Sequence, residues 1–388
     1  MSKQNLFRTI IISSVLIVFA LVGSVFIYRY LQMGKENNSN KSSKPTENAQ
    51  TLKPTNPIEP EPMELEIYKS ELFVEAKWGK GKGEVGLLYN PEEAVGDIGP
   101  NYGPQSFDID ETNENLFLMD SINERVIEYD ENGKYLRDFS IGVGATTDMK
   151  IKDNYIYILS FGSDAVYKTD MSGKILETYL IAPGKNPGIG TGGIEFDENG
   201  NVMVSTNIKG YYNEETRFYQ VGPNGDEWKT NSYTGNISRD KKEFYFREGV
   251  DWYTNKIQKI NKEGEVQKEF TVKLSEKAYV YYYGFDDKDN VYLDIAYEHG
   301  SIWDDDSYLD HFIFKYNKDG GLLAEIDRST PLQKLFEKPK AKILANYETN
   351  GYYVEGFKKI RVTSDGNIYW MASFKDKGIK IFKYSQTK

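Results

Sequence analysis

One eight-residue pattern recurs six times in this chain of 388 residues. A sixfold internal repeat constrains a fold more than composition does. Each copy starts with an apolar residue, carries a second apolar residue three positions on in most cases, and closes on Gly after a polar stretch. The copies are Val126–Gly133, Val166–Gly173, Phe218–Gly225, Ile257–Gly264, Ile313–Gly320 and Ile381–Lys388, the last of which meets the chain end instead of a Gly. The pattern describes a strand that runs into a tight turn, because Asp and Asn tolerate turn geometry and the closing Gly accepts positive φ. Strand-like residues follow each turn, at Tyr135-Leu136, Ile175-Leu176, Trp228, Val266 and Leu322-Leu323.

A second pattern precedes the first: a short apolar run after a turn rich in Asp and Asn. Its copies start at Leu116, Ile156, Val202, Phe244, Val291 and Ile368. Most follow a further strand-like stretch, such as Ser106–Ile109 or Gly193–Phe196. Each unit thus holds four strands, and the start-to-start intervals are 40, 46, 42, 47 and 77, the last containing an insertion. Four strands in a period of about 40 to 50 residues mark a β-propeller. A β-solenoid has shorter coils, and a sandwich would not repeat six times.

The sixth unit ends at its third strand. Residues 66–78 lie before the first unit and read as β, so they are expected to supply the missing fourth strand and clasp the C-terminal unit. Closure of that kind removes exposed sheet edges. The expected fold is all-β: a six-bladed β-propeller over 64–388, its N-terminal strand closing the last blade, preceded by one transmembrane helix. An aromatic content of 14%, with 30 Tyr, suits half-buried pleated surfaces.

Residues 9–28 carry no charge and are long enough to cross a bilayer. Lys3 and Arg8 precede them, and a short basic N-terminus favours a cytoplasmic start. A cleaved signal peptide is the competing reading, but Val22-Gly23-Ser24 runs on into the apolar Val25-Phe26-Ile27, which places cleavage poorly. The expected organisation is a cytoplasmic N-terminus over 1–8, a transmembrane signal anchor over 9–30 and a disordered linker over 31–63. The propeller then stands outside the cytoplasm, at a bacterial cell membrane. The linker is rich in Asn, Ser, Lys, Glu and Pro, which cannot bury enough surface to fold.

Residues beyond 34 hold 45 basic and 59 acidic side chains, a net of −14. Such a domain repels phosphates, so nucleic acid is not an expected partner. The chain has no Cys, which excludes disulfides, thiolate metal sites, a Cys nucleophile and a lipid-modified N-terminal Cys.

The first unit carries Pro104, then Asp120-Ser-Ile-Asn123-Glu-Arg125-Val126, then Tyr129-Asp-Glu-Asn-Gly133-Lys. It resembles the NHL repeat, and Trp78-Gly79-Lys-Gly81-Lys-Gly83 ahead of it resembles the Gly-rich lead-in of such repeats. The other units lack the Asn and Arg. The resemblance is therefore to the superfamily of NHL, gluconolactonase and YWTD propellers. It implies six blades and, for Asp120 and Arg125, a structural ion pair within a blade. It implies little about chemistry, because this fold hosts lactonases, lyases, scaffolds and receptors.

Propeller architecture implies that the loops between strands two and three share one face with the connections between blades. Two such loops are long: 207–216 in the third blade and 297–311 in the fifth. The fifth-blade loop holds both histidines of the chain, His299 and His311, with four Asp. No cofactor is expected. Asp304, Asp306 and Asp310 offer the all-oxygen ligation that calcium prefers, although the spacing is not that of an EF-hand. Tyr211, Tyr212, Trp252, Tyr253, Trp303 and Tyr308 fall in the strand two to strand three loops of the third, fourth and fifth blades and suit stacking on sugar rings or anchoring a partner protein. Packing onto the blades is the plainer reading of these aromatics.

Two histidines cannot form a three-His zinc site, and no nucleophile elbow, phosphate loop or His-Glu-x-x-His is present. Asp108, Asp148, Glu195 and Arg361 on the innermost strands could face the channel and leave a carboxylate-metal site open. The sequence therefore favours an envelope binding or scaffold module, for an envelope protein or carbohydrate. A metal-dependent gluconolactonase-like hydrolase or lyase is the alternative.

Overall fold

A computed structural model describes residues 64–87, 103–160, 162–181, 193–208, 215–221, 229–234, 236–237, 244–249, 251, 253–261, 265–299, 308–328, 330–331, 360–374 and 377–387. The expected N-terminus, anchor and linker over 1–63 lie outside these residues, as do 329 and 332–359 in the insertion between the fifth and sixth units. Among the described residues no helix is long and apolar enough to cross a membrane.

The described residues are nearly all strand and form a β-propeller of four-stranded antiparallel sheets. Strand β1 (Tyr68–Ala76) comes first in the chain but belongs to the last sheet. Sheet one is β2 (Ser106–Asp110), β3 (Asn115–Asp120), β4 (Arg125–Tyr129) and β5 (Tyr135–Ser140). Sheet two is β6 (Thr146–Lys152), β7 (Tyr155–Ser160), β8 (Ala165–Thr169) and β9 (Ile175–Leu180). Sheet three is β10 (Ile194–Phe196), β11 (Val202–Ile208), β12 (Glu215–Gln220) and β13 (Lys229–Thr234). Sheet four is β14 (Asn236–Ile237), β15 (Phe244–Gly249), β16 (Thr254–Ile260) and β17 (Val266–Lys273). Sheet five is β18 (Ala278–Phe285), β19 (Val291–His299), β20 (Tyr308–Tyr316) and β21 (Leu322–Asp327). Sheet six is β22 (Ile360–Val362), β23 (Ile368–Phe374), β24 (Gly378–Gln386) and, as its fourth strand, β1.

The pairing of β1 with β24 runs from Tyr68 opposite Gln386 to Ala76 opposite Ile379, with a bulge between Leu72 and Val74. Apolar residues of β1 supply the reason: Phe73, Val74 and Ala76 are buried, and Phe73 meets Tyr369 edge to face at 5.3 Å. Backbone bonds from Glu66 N to Leu323 O (2.7 Å) and from Thr387 N to Ile67 O (2.8 Å) extend the clasp beyond the strand.

The core lies between sheets. Phe117, Met119 and Val126 of sheet one pack on Met149, Ile156 and Ile158 of sheet two. Leu159 and Val166 meet Ile194 and Val204 of sheet three. Ile257 and Val272 of sheet four meet Val280 and Leu293 of sheet five. Ile313 and Ala324 meet Ile368 and Trp370 of sheet six. Finally Tyr369, Ile379 and Ile381 pack on Leu116, Leu118 and Ile127 of sheet one. The last sheet thus shares a core with the first.

Strand direction gives the propeller two distinct ends. The connections between first and second strands and between third and fourth strands form the turn end. Here Asp197 Oδ1 accepts from the amides of Asn199 (2.9 Å) and Asn201 (2.8 Å), and Asp286 Oδ1 accepts from those of Lys288 (2.9 Å) and Asn290 (3.0 Å). The recurring Asp and Asn runs are therefore turn chemistry. The connections between second and third strands, and those between sheets, form the loop end. A repeated backbone bond ties the two kinds together: Ile141 N to Glu124 O (3.1 Å), Ile181 N to Asp164 O (2.8 Å), Leu274 N to Tyr253 O (2.7 Å) and Arg328 N to His311 O (3.2 Å).

Candidate functional site

The first strand of each sheet has one edge that no strand covers, and its backbone groups need other partners. The inner-strand charges supply them. Asp108 Oδ2 accepts from Ile151 N of sheet two (2.7 Å), and Asp148 Oδ2 accepts from Ile194 N of sheet three (2.8 Å). Arg361 of sheet six donates through Nε to Phe107 O (2.9 Å) and through Nη2 to Ser106 Oγ (2.9 Å) and Asp148 Oδ1 (3.0 Å). Its Nε lies 3.3 Å from Asp108 Oδ1. Ser106 Oγ donates to Asp148 Oδ1 (2.7 Å) and receives Met149 N (3.3 Å). Glu195 stands apart, 3.8 Å from Lys150 Nζ.

These charges bind sheets one, two, three and six to one another. Burial pushes the Asp108 carboxyl above its ordinary range, against the lowering effects of Lys150, Arg361 and the Ile151 amide. The oxygens of Asp108 and Asp148 are engaged by amides and a guanidinium, so the pair acts as a cross-brace.

The NHL-like residues do similar work further out. Asp120 is fully buried and sits 3.1 Å from Arg125 Nε. It also accepts from Gly86 N (2.9 Å) and Asn123 Nδ2 (2.7 Å). Arg125 Nη2 donates to Gly81 O (3.0 Å) and Glu84 O (2.7 Å). The Gly-rich lead-in is thus the object that the motif holds, and Trp78 Nε1 fixes its start by donating to Phe374 O (2.9 Å).

At the loop end, Tyr253 is half exposed (50%), and its amide donates to Asp251 Oδ1 (2.7 Å). Tyr211, Tyr212, Trp252, Trp303, Asp304 and Asp306 lie outside the described residues. The fifth-sheet connection is shorter than the sequence suggests. Tyr297 and His299 belong to β19, and Tyr308, Asp310 and His311 belong to β20, leaving 300–307 between them. Tyr308 pairs with His299 in the ladder, and Asp310 pairs with Tyr297. Asp310 is buried, with Oδ2 3.9 Å from His299 Nε2. Among the described residues, no three His, Cys, Asp or Glu side chains are placed to hold a metal ion.

One cluster near this end escaped the sequence reading. Asp294 on β19, 1% exposed, receives two cations or donors on its two oxygens. Arg328 Nη1 donates to Oδ1 (2.8 Å), and His311 Nδ1 lies 2.8 Å from Oδ2. Arg328, directly after β21, also lies 4.3 Å over the Trp370 ring. The imidazole of His311 is 18% exposed. Its Nε2 makes no hydrogen bond among the described residues. The sequence carried one signal for this cluster, Asp294 itself: a carboxylate inside the apolar run Val291-Tyr-Leu-Asp-Ile-Ala-Tyr297 must find a partner when buried.

No protein-family model matches the chain, and no curated protein matches it. Among solved structures, a catalytically inactive virginiamycin B lyase from Staphylococcus aureus with quinupristin shares 12% identity, covering 83% of this chain and 100% of that one, with a TM-score of 0.42. A gluconolactonase from Xanthomonas campestris shares 10% identity over 81% and 97%, with a TM-score of 0.40. A calcium-binding regucalcin from Agrobacterium tumefaciens shares 10% over 73% and 90%, with a TM-score of 0.38. These are β-propeller proteins, and a likeness this remote carries no chemistry to the present chain.

Proposed function

We propose that this chain is a single-pass membrane protein whose six-bladed propeller stands outside the cytoplasm and serves as a ligand- or protein-binding module of the cell envelope. The division of polar groups between centre and loop end carries this reading. Asp108, Asp148 and Arg361 are occupied in joining sheets, whereas the loop end presents a half-exposed Tyr253 and an oriented imidazole with one open nitrogen. A rigid scaffold with polar and aromatic groups gathered at one end is suited to binding. A negative net charge keeps nucleic acid from the list of partners and leaves an envelope protein or carbohydrate.

A second reading, a hydrolase or lyase, is favoured by one observation: Asp294 orients His311 as a carboxylate orients a general base. The metal-dependent form of that reading has no ligand set among the described residues.

Two experiments test the proposal. The chain has no Cys, so a single Cys placed at exposed Glu131 reports topology without background. A membrane-impermeant maleimide should label it in intact cells, and labelling only after lysis would overturn the extracytoplasmic placement. Immobilised full-length chain should retain a defined component of a solubilised envelope extract, with loss of retention in Tyr253→Ala. Turnover of an ester or lactone panel with no retained component would install the enzyme reading instead.

A further inference from the structure

We infer that His311 Nε2 reads a hydroxyl group of a neutral, polyhydroxylated ligand of the carbohydrate class at the loop end; the inference rests on the binding-module reading above. Its basis is the chemistry of the three-residue cluster.

A carboxylate only accepts hydrogen bonds. At 2.8 Å from Asp294 Oδ2, Nδ1 of His311 therefore carries the proton in the neutral ring. The 3.3 Å approach of Arg328 Nη1 to Nδ1 is then a close contact of two donors that share one carboxylate. The proton on Nδ1 leaves Nε2 as a bare acceptor. The cluster is also rigid: Arg328 is held by Asp294, by the Trp370 ring and by its backbone bond to His311 O. An acceptor fixed in advance loses little entropy on binding.

The same neighbours select the ligand. An anion brings no donor for Nε2 and meets an acidic domain. A cation brings a donor, but Arg328 already neutralises Asp294 and leaves no counter-charge for it at the ring. A neutral hydroxyl brings the donor and needs no counter-charge. Sugars join hydroxyl donors to apolar C–H faces, and the exposed ring of Tyr253 at the same end of the propeller is suited to such a face.

The test uses the full-length chain in detergent micelles, labelled with 15N-histidine. The chain has two histidines, so the spectrum contains two rings. Probes are soluble oligosaccharides of glucose, N-acetylglucosamine and galactose. The free chain should show His311 protonated on Nδ1 with a pyridine-type Nε2. At least one probe should shift that Nε2 resonance while His299 stays in place. Asn at 311 retains a donor to Asp294 but lacks the outer nitrogen, so His311→Asn should fold normally and bind the sugar about tenfold more weakly. His311→Gln, whose amide reaches the Nε2 position, should recover part of the loss.

A proton on Nε2 in the free chain overturns the inference, as does a panel in which no sugar moves the His311 resonance. Sugar binding that leaves His311 unmoved and is unaffected by His311→Asn overturns it too. If the sugars fail while the immobilised chain still retains an envelope protein, the carbohydrate inference falls and the binding module stands. If both fail, the module reading falls with it.

Discussion

Glu66 places its carboxylate 2.7 Å from the ammonium of Lys315, 249 residues further along the chain. Lys315 is 3% exposed on its side chain and lies 5.7 Å over the Tyr68 ring and 5.6 Å over the Tyr292 ring. The segment that leads into β1 therefore supplies the counter-ion for a buried lysine of sheet five while its strand completes sheet six.

Removing Glu66 leaves that ammonium with Asp286 Oδ2 at 3.7 Å as a more distant carboxylate. Glu66→Ala should cost roughly 1 to 3 kcal/mol, because a buried charge loses its nearer partner. The double change Glu66→Ala with Lys315→Met should recover much of the loss, since no charge remains buried. Thermal unfolding of the full-length chain checks both, and limited proteolysis should cut the single variant first near β1 or β24. Burial works to lower the Lys315 pKa, but the hydrogen bond to Glu66 and the contact with Tyr68 leave it above the ordinary lysine range. A raised folded pKa means that the contribution is complete below the unfolded value, at about 10.4, and fades only as pH rises through the higher folded one. The clasp should thus hold undiminished across neutral pH.

Asp120 and Arg125 predict a local effect. Asp120→Ala strips a buried acceptor from Arg125, Asn123 and Gly86 at once and should cost about 3 to 5 kcal/mol. Arg125→Lys keeps the charge but loses the forked donation to Gly81 O and Glu84 O. Amide hydrogen exchange should then rise at Gly79, whose amide donates to Val85 O, and at Val85, whose amide donates to Lys77 O, while β3 and β4 stay protected.

Asp108 gives a pH signature with a definite sign. Burial raises its folded pKa, so its contribution is complete below about 3.8 and is lost as pH rises through the folded value. Asp108→Asn, which does not ionise, should gain stability relative to the parent chain as pH rises above about 3.8 and through the raised folded value. Asp148→Asn should not show that gain, because Asp148 accepts together from Arg361, the Ser106 hydroxyl and the Ile194 amide. Paired melting curves across this range decide the matter.

Two glycines separate backbone strain from packing. Gly133 (φ 74°) closes the turn after β4, and a Cβ there would collide with the Phe73 carbonyl of β1. Gly142 (φ 60°) has nothing within 4 Å of an added Cβ. Gly142→Ala should cost about 1 to 2 kcal/mol from its left-handed conformation alone. Gly133→Ala should cost clearly more, and should also expose β1 to protease. Equal losses would mean that the turn does not bear on the clasp.

Gly173 and Gly320 stand in the same relation to the preceding sheet. Added Cβ atoms would meet Ser140 O at 2.6 Å and Phe270 Cβ at 2.5 Å. Gly133 treats β1 of sheet six as those two treat β5 of sheet one and β17 of sheet four. The sequence pattern exposed the glycine as a turn residue, but its role as a joint between sheets needed the third dimension.

Strand, turn and period were legible in the residue order alone, from Leu116 to Ile368, and so was the need for a borrowed strand in the sixth unit. These are properties of neighbouring residues, written in apolar alternation and in Asp, Asn and Gly at turns. Asp120, Asn123 and Arg125 were legible for the same reason, since they stand five residues apart or fewer. Which distant charges meet was settled by folding. Arg361 reaches Asp148 across 213 residues, and Arg328 reaches Asp294 across 34. His311 and Asp310 adjoin in sequence, yet His311 joins that cluster and Asp310 turns toward His299. Alternation along β20 sends the two side chains to opposite faces, and the partner on each face is set by which sheets the closed ring brings together.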